Sequence, residues 1–176
     1  MAIHPTAHVA STARIGQGTS IGPFCVIGPK VEIGENCEVM SHVVVEGVTT
    51  VGARTRIHPF VVLGHAPQDS KPISEESRLT IGQNCVIREH VTMNTGTVRG
   101  GSHTRVGDNG YFMVNAHVAH DCVVGNNVTL VNNVMLAGHC VIGDNVIMAG
   151  ASAVHQFTRV GRNAFIGGMA AVEHDV

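Results

Sequence analysis

Apolar residues recur every six positions along this chain, a period that neither a helix face nor a simple alternating strand produces. The series runs from Ile3 through Val9, Ile15 and Ile21 to Leu63, resumes at Ile81, Ile87 and Met93, and continues from Val106 through Val118, Leu136 and Val154 to Val172. It comprises 26 positions, all of them apolar. Four residues after each, except where the register is interrupted after Leu63, stands a Gly, Ala, Ser, Thr, Cys or Val. Each hexad therefore turns one bulky and one small residue inward. Such a core has little room for rings, and the chain, 44% apolar, is only 3% aromatic, with no Trp and one Tyr.

Six residues suit a short strand plus a turn through one third of a circuit, so three hexads close one 18-residue coil. Gly directly follows the apolar position twelve times, and Asn stands third after it eight times, as at Asn109, Asn127, Asn145 and Asn163. Both residues tolerate the left-handed backbone that tight corners need. The expected fold is all-β, a triangular parallel β-helix of nearly nine coils, rising roughly 40 Å at about 4.8 Å per coil. A three-sided prism of hexapeptide coils resembles the left-handed parallel β-helix family, and the left-handed sense is implied by that resemblance.

Length and charge set further bounds. The 176 residues suit one domain spanning 1–176. A net charge of −2 with 14% charged residues excludes a disordered polyelectrolyte and supplies no basic footprint for nucleic acid. There is no apolar run long enough to span a membrane, and the Met1-Ala2-Ile3-His4-Pro5 start lacks the features of a signal peptide. These features predict a soluble, cytoplasmic protein. Cys25, Cys37, Cys85, Cys122 and Cys140 all fall on the small inward position and read as core filler rather than disulfides or metal ligands.

The two breaks in the register point to a site. The step is 18 from Leu63 to Ile81 and 13 from Met93 to Val106, so two loops, at about 64–80 and 97–105, leave the prism. Leu63, Met93 and Val118 lie three steps apart, which puts both loops at one corner, directly below the corner that follows Val118. That corner reads Val118-Ala119-His120-Asp121, then Leu136-Ala137-Gly138-His139 and Val154-His155-Gln156-Phe157 on the coils above. His120, Gly138 and Gln156 form one column, Asp121 lies under His139, and His117 stands just before the turn. Loops converging on four His and an Asp mark the candidate site. The other His residues, scattered elsewhere, read as solvated turn and surface positions.

A histidine can serve as general base when another group orients it, and Asp121 is adjacent to His120. Gly138, one rung above, can present a backbone N–H to a developing oxyanion. The column contains no Ser or Cys nucleophile, so these groups suit acyl transfer by direct attack of a substrate hydroxyl. Zinc catalysis by three His is the competing reading, but left-handed β-helices that act as carbonic anhydrases resemble a pattern with His five apart on one coil. Here His117 and His120 are three apart.

Four motifs in order, Asn115-Ala116-His117-Val118-Ala119-His120-Asp121-Cys122, Leu136-Ala137-Gly138-His139, Ala153-Val154-His155-Gln156-Phe157 and, upstream, Gly96-Thr97-Val98-Arg99-Gly100-Gly101, closely resemble the acyl-(acyl-carrier-protein)–UDP-N-acetylglucosamine O-acyltransferase family that opens lipid A biosynthesis. The likeness extends from Ile3 to Val176. It implies His120 as the base on the sugar 3-hydroxyl, Asp121 as its support and the Gly138 N–H at the oxyanion. It further implies Asp69 and Lys71 at the acceptor and its phosphates, and His117, His139, His155 and Gln156 lining the cleft. Gly168, beside Met169, would sit where the family limits acyl length. The implied partners are acyl carrier protein, whose phosphopantetheine carries the donor, a UDP-sugar, and two further copies in a homotrimer. No other cofactor or metal is implied. Asn94 stands where many members carry a His and Thr95 where Arg is usual, which opens a 3-amino sugar nucleotide as an alternative acceptor. The family's C-terminal helical domain lies outside these residues, so a noncatalytic scaffold or trimerisation module is a third reading. The N-acylating relative of the same pathway is set apart by an extra N-terminal domain, whereas coils begin here at Ile3.

Overall fold

The structure, a computed structural model, describes residues 2–69 and 74–176. Among these the chain forms 26 short strands in three wholly parallel sheets of nine, nine and eight strands, and each of the 26 apolar positions has a strand of its own. The first sheet begins with Ala2–Ile3, the second with His8–Val9 and the third with Arg14–Ile15. Each strand pairs with the one three strands further along the chain. Ile3 meets Ile21, and Val118 meets Leu136, so where no loop intervenes the register step is one 18-residue coil.

The inward positions are closed to water. Ile27, Ile57, Leu63, Leu130, Leu136 and Met148 are fully buried, each stabilising the fold by about 2 kcal/mol through removal of its side chain from water. The pairing of one large with one small residue is plain at Phe112, the one buried Phe or Tyr ring among the described residues. A Cβ on Gly110 would overlap that ring. All five Cys are free and buried at the small position, and burial pushes the Cys85 thiol up to about 11.

The corners assign different jobs to their two signature residues. Asn does occupy the left-handed position, with φ between 55° and 62° at Asn36, Asn84, Asn109, Asn127, Asn145 and Asn163. Phe24, His42, Phe60, His90, Asp121 and His139 hold the same conformation at other corners. The Gly directly after the apolar position is not left-handed at Gly107 or Gly125. It is needed because the backbone of the next coil lies under 3 Å from where a Cβ would stand. The expectation that Gly serves the corner through positive φ holds at Gly64, with φ 79°, and is corrected at Gly107 and Gly125, where Gly serves through close approach.

The loops leave where the register places them. The first lies between strands Val62–His65 and Arg78–Ile81, and the second, which carries the 3-10 turn Val98–Gly100, between Thr92–Asn94 and His103–Val106. Val62–His65 pairs with Thr92–Asn94, which pairs with His117–Val118, so both loops depart from consecutive rungs below the His120 corner. Among the described residues no helix is long and apolar enough to cross a membrane.

Candidate active site

The short strand His117–Val118 delivers the chain to a corner at which Asp121 adopts φ 59°. This turn folds the Asp121 side chain back onto its neighbour, so that Asp121 Oδ2 lies 2.9 Å from His120 Nδ1. An ionised carboxylate only accepts, so His120 Nδ1 carries the hydrogen and Nε2 presents its lone pair. Asp121 is itself held from several sides. Its N–H donates to Thr104 Oγ1 at 2.8 Å. Its carboxylate accepts from the Thr97 N–H at 3.0 Å and from the Thr97 hydroxyl at 2.6 Å.

One rung up, Gly138 packs its Cα against the His120 ring, and a Cβ there would overlap the imidazole. The N–H groups on either side of it, of Ala137 and His139, are used in the ladder to Val154 and His120, whereas that of Gly138 makes no backbone bond among the described residues. His139 meets the His120 ring edge-on at 5.0 Å and is capped by Phe157, stacked at 4.4 Å. His139 Nε2 lies 3.9 Å from Asp121 Oδ2. His117 is fixed by a 2.7 Å hydrogen bond to Thr92 Oγ1, and burial holds its imidazole below the usual range.

The first loop closes over the same ring. Asp69 Oδ2 lies 3.7 Å from His120 Nε2, which puts this carboxylate at the outer edge of the His120 ring. Lys71 lies outside the described residues. Between this loop at Gln68 and the face of the second sheet at Met135 and Ala153 runs a cleft of about 400 Å³. Asn94, His117 and His120 line its polar end. Asn94 is buried, and its amide nitrogen donates to Ala66 O at 3.0 Å, leaving Oδ1 without a partner among the described residues. A hollow of about 340 Å³ lies lower on the same corner, at Lys30, Glu46 and His65, and shares no lining residue with the cleft.

Of the residues expected at the site, His117, His120, Asp121, Gly138, Asn94 and Asp69 converge within one neighbourhood. His139 joins them through Asp121. His155 and Gln156 are exposed on the next coil up, with the His155 ring turned to the Gln156 carbonyl at 3.2 Å. Gly168 and Met169 stand two coils above Leu136, at the opposite corner of the second sheet's face, and Met169 is 81% exposed. Thr97 is a contact the repeat register does not foretell, since the inserted loop falls outside it. Its signal was the Gly96-Thr97-Val98-Arg99-Gly100-Gly101 motif. Among the described residues one cluster has metal-ligand spacing, His120, Asp121 and His139, with donor atoms within 4.8 Å of one another.

Residues 12–47 and 30–65 match the bacterial transferase hexapeptide (six repeats) family. The acyl-(acyl-carrier-protein)–UDP-N-acetylglucosamine O-acyltransferase of Rhizobium johnstonii is 58% identical over 123 residues, 70% of this chain and 45% of its own length. A crystal structure of UDP-N-acetylglucosamine acyltransferase is similar at TM-score 0.98 and 43% identity, over 99% of this chain and 68% of that one. LpxA from Acinetobacter baumannii is similar at TM-score 0.98 and 43% identity, over 100% of this chain and 68% of that one. The coil is accordingly a left-handed parallel β-helix. The chain spans about half the length of the curated relatives it matches.

Proposed function

The chain belongs to the hexapeptide-repeat family of UDP-N-acetylglucosamine acyltransferases, and from that premise we propose that it transfers a 3-hydroxyacyl group from acyl carrier protein to the 3-position of a UDP-N-acetylglucosamine-type sugar. The reading is carried by the 2.9 Å His120–Asp121 pair with Gly138 against the ring. His120 Nε2 takes the hydroxyl proton as the oxygen attacks the thioester carbonyl. The oxyanion of the tetrahedral intermediate accepts from the Gly138 N–H. Its collapse expels the phosphopantetheine thiolate, which recovers the proton from His120. Asp121 keeps the ring oriented and supports its positive charge. Asp69 and Lys71 would hold the acceptor, and His117, His139, His155 and Gln156 would line the approach. The apolar face from Met135 past Ala153 would carry the acyl chain toward Gly168 and Met169, where a Gly leaves room for a longer chain. The reaction needs no cofactor beyond the carrier's own phosphopantetheine. A homotrimer in the cytoplasm completes the proposal, and a monomeric mass by light scattering would overturn its oligomeric part.

Incubation with mixed acyl carrier proteins and UDP-sugars, with product mass spectrometry, is the test. His120→Ala should cost at least about a thousandfold in turnover, the scale on which a general base acts. An inactive protein indifferent to His120→Ala leaves the scaffold reading standing. Stoichiometric zinc with chelator-sensitive turnover would instead favour a metal at His120, Asp121 and His139.

The 3-amino acceptor has an observation in its favour. Asn94 Oδ1 is a buried acceptor at the polar end of the cleft without a donor among the described residues, and leaving such a group unpaired is costly. An amine brings one more hydrogen than a hydroxyl and can satisfy both Asn94 Oδ1 and His120 Nε2. A preference for the 3-amino over the 3-hydroxy nucleotide, lost in Asn94→Ala, supports it. Equal use of both acceptors removes it.

A further inference from the structure

The second loop does more than border the cleft. Its Thr97 is 1% exposed, and both its N–H and its hydroxyl are spent on one group, the Asp121 carboxylate. The N–H lies 3.0 Å from each carboxylate oxygen, and the hydroxyl lies 2.6 Å from Oδ2, the oxygen that also receives His120 Nδ1–H. The rest of the loop is shaped around this contact. Thr97 caps the 3-10 turn by accepting from Gly100 N at 3.3 Å. Gly100 lies so close to Asp121 that a Cβ would fall within the carboxylate, and one on Gly96 would press on Oδ1. Asp121 is thereby boxed in, with Thr104 on its N–H, Thr97 on its carboxylate and bare glycine Cα atoms closing the space beside it.

We infer that Thr97 is a positioning residue, which acts on the reaction through Asp121 by holding Oδ2 where it fixes the Nδ1–H form of His120. The seven residues that interrupt the repeat after Met93 exist, on this view, to bring a hydroxyl and an N–H onto a carboxylate that the regular hexads cannot reach. Thr97 is buried and is not among the residues that line the cleft. With three donors on Asp121, the carboxylate is an acceptor throughout, and the proton gained at Nε2 stays on the ring until the leaving thiolate takes it back.

The kinetic test rests on the acyltransferase reading above, and a second readout does not. Thr97→Val should lower kcat about 10- to 100-fold, the scale of a lost hydrogen bond to a charged group, with KM for both substrates unchanged and with recovery in Thr97→Ser. In an Asp121→Ala background the same change should cost nothing further, because the group through which Thr97 acts is gone. A raised KM, failure of Ser to restore kcat, or an undiminished loss in the Asp121→Ala background would overturn the inference and leave Thr97 a structural residue of the loop. Independently of turnover, 15N NMR of histidine-labelled protein, with His120 assigned by its loss in His120→Ala, should show the Nδ1–H tautomer in the parent and a mixture in Thr97→Val. An unchanged tautomer would also overturn it. A parent protein that transfers no acyl group defeats the acyltransferase reading alone, because the tautomer experiment still decides the role of Thr97.

Discussion

Two corners of the same prism show opposite ways of using a turn. At the corner that follows the third sheet, Asn84, Asn109, Asn127, Asn145 and Asn163 stack one per coil, and each donates its amide to the next at 3.0–3.2 Å. Arg54 joins the lower end through Asn84. This ladder repeats one residue and satisfies itself. The corner that follows the second sheet has no such repeat: Thr95, His120, Gly138 and Gln156 succeed one another in one column, and two loops interrupt the corner. The buried polar side-chain atoms left without a partner among the described residues, Asn94 Oδ1 and His103 Nδ1, stand on either side of the second loop. Regularity closes the hydrogen-bond ladder, and chemistry is built where the ladder is broken and partners are left for something else.

The sharpest way to break that contrast is at Gly138. A methyl group there overlaps the His120 ring, so Gly138→Ala should turn the imidazole away from Asp121. Turnover should fall about 100- to 1,000-fold, the range for loss of an oriented base or an oxyanion donor. A circular dichroism melt should barely move, because the change is at the surface of the site. A variant with near-parental turnover would show that the packing of Gly138 on His120 is incidental.

The difference between the corners also governs what could be read in advance. Period-six arithmetic placed every strand because the core admits only one bulky and one small side chain per hexad, so pattern and packing coincide. The same arithmetic placed His120, Asp121, Gly138 and His139, since these lie inside the register. It could not place Thr97 over Asp121 or Asp69 beside His120 Nε2, because an inserted loop returns to the prism along a path that no period sets. The roles of Gly168 and Met169 rest on resemblance, and they stand across the sheet face from His120. The role of Gly107 and Gly125 escapes the pattern for another reason. Composition shows that a Cβ is unwelcome, but not whether a dihedral angle or a neighbouring backbone excludes it.

A smaller effect should appear at His103, where the broken region has a pH cost. Its Nε2 is paired with Thr80 at 2.8 Å, and burial, with Arg105 and Arg78 nearby, depresses its imidazole to about 4. The unfolded chain takes up a proton near the usual 6.5, while the folded chain resists until about 4. The unfolded state therefore binds more protons across that window, and stability falls as the pH is lowered from about 6.5 to 4. Allowing for partial solvent access, the loss is about 1–2 kcal/mol. Denaturant melts from pH 7 to pH 4 should show it, and His103→Gln, which can still bond Thr80, should flatten the decline. An equal decline in His103→Gln would place the acid sensitivity elsewhere.

The smallest effect belongs to the regular corner, and it separates backbone from side chain. Asn127 accepts from Asn109 at 3.1 Å and donates to Asn145 at 3.0 Å, in a left-handed conformation with φ 56°. Asn127→Gly keeps that conformation without strain and removes only two solvent-exposed hydrogen bonds, so it should cost no more than about 1 kcal/mol. Asn127→Ala removes the same bonds and adds the penalty of a Cβ at positive φ, about 1 kcal/mol more. The ladder lies across the prism from His120, and kcat and KM should stay at parental values in both variants. Equal stability of the Gly and Ala variants would mean that the amide ladder, and not the backbone, selects Asn at this corner. A change in kcat would mean that the two corners are coupled through the coil, and that the repeat does more than hold the broken corner in place.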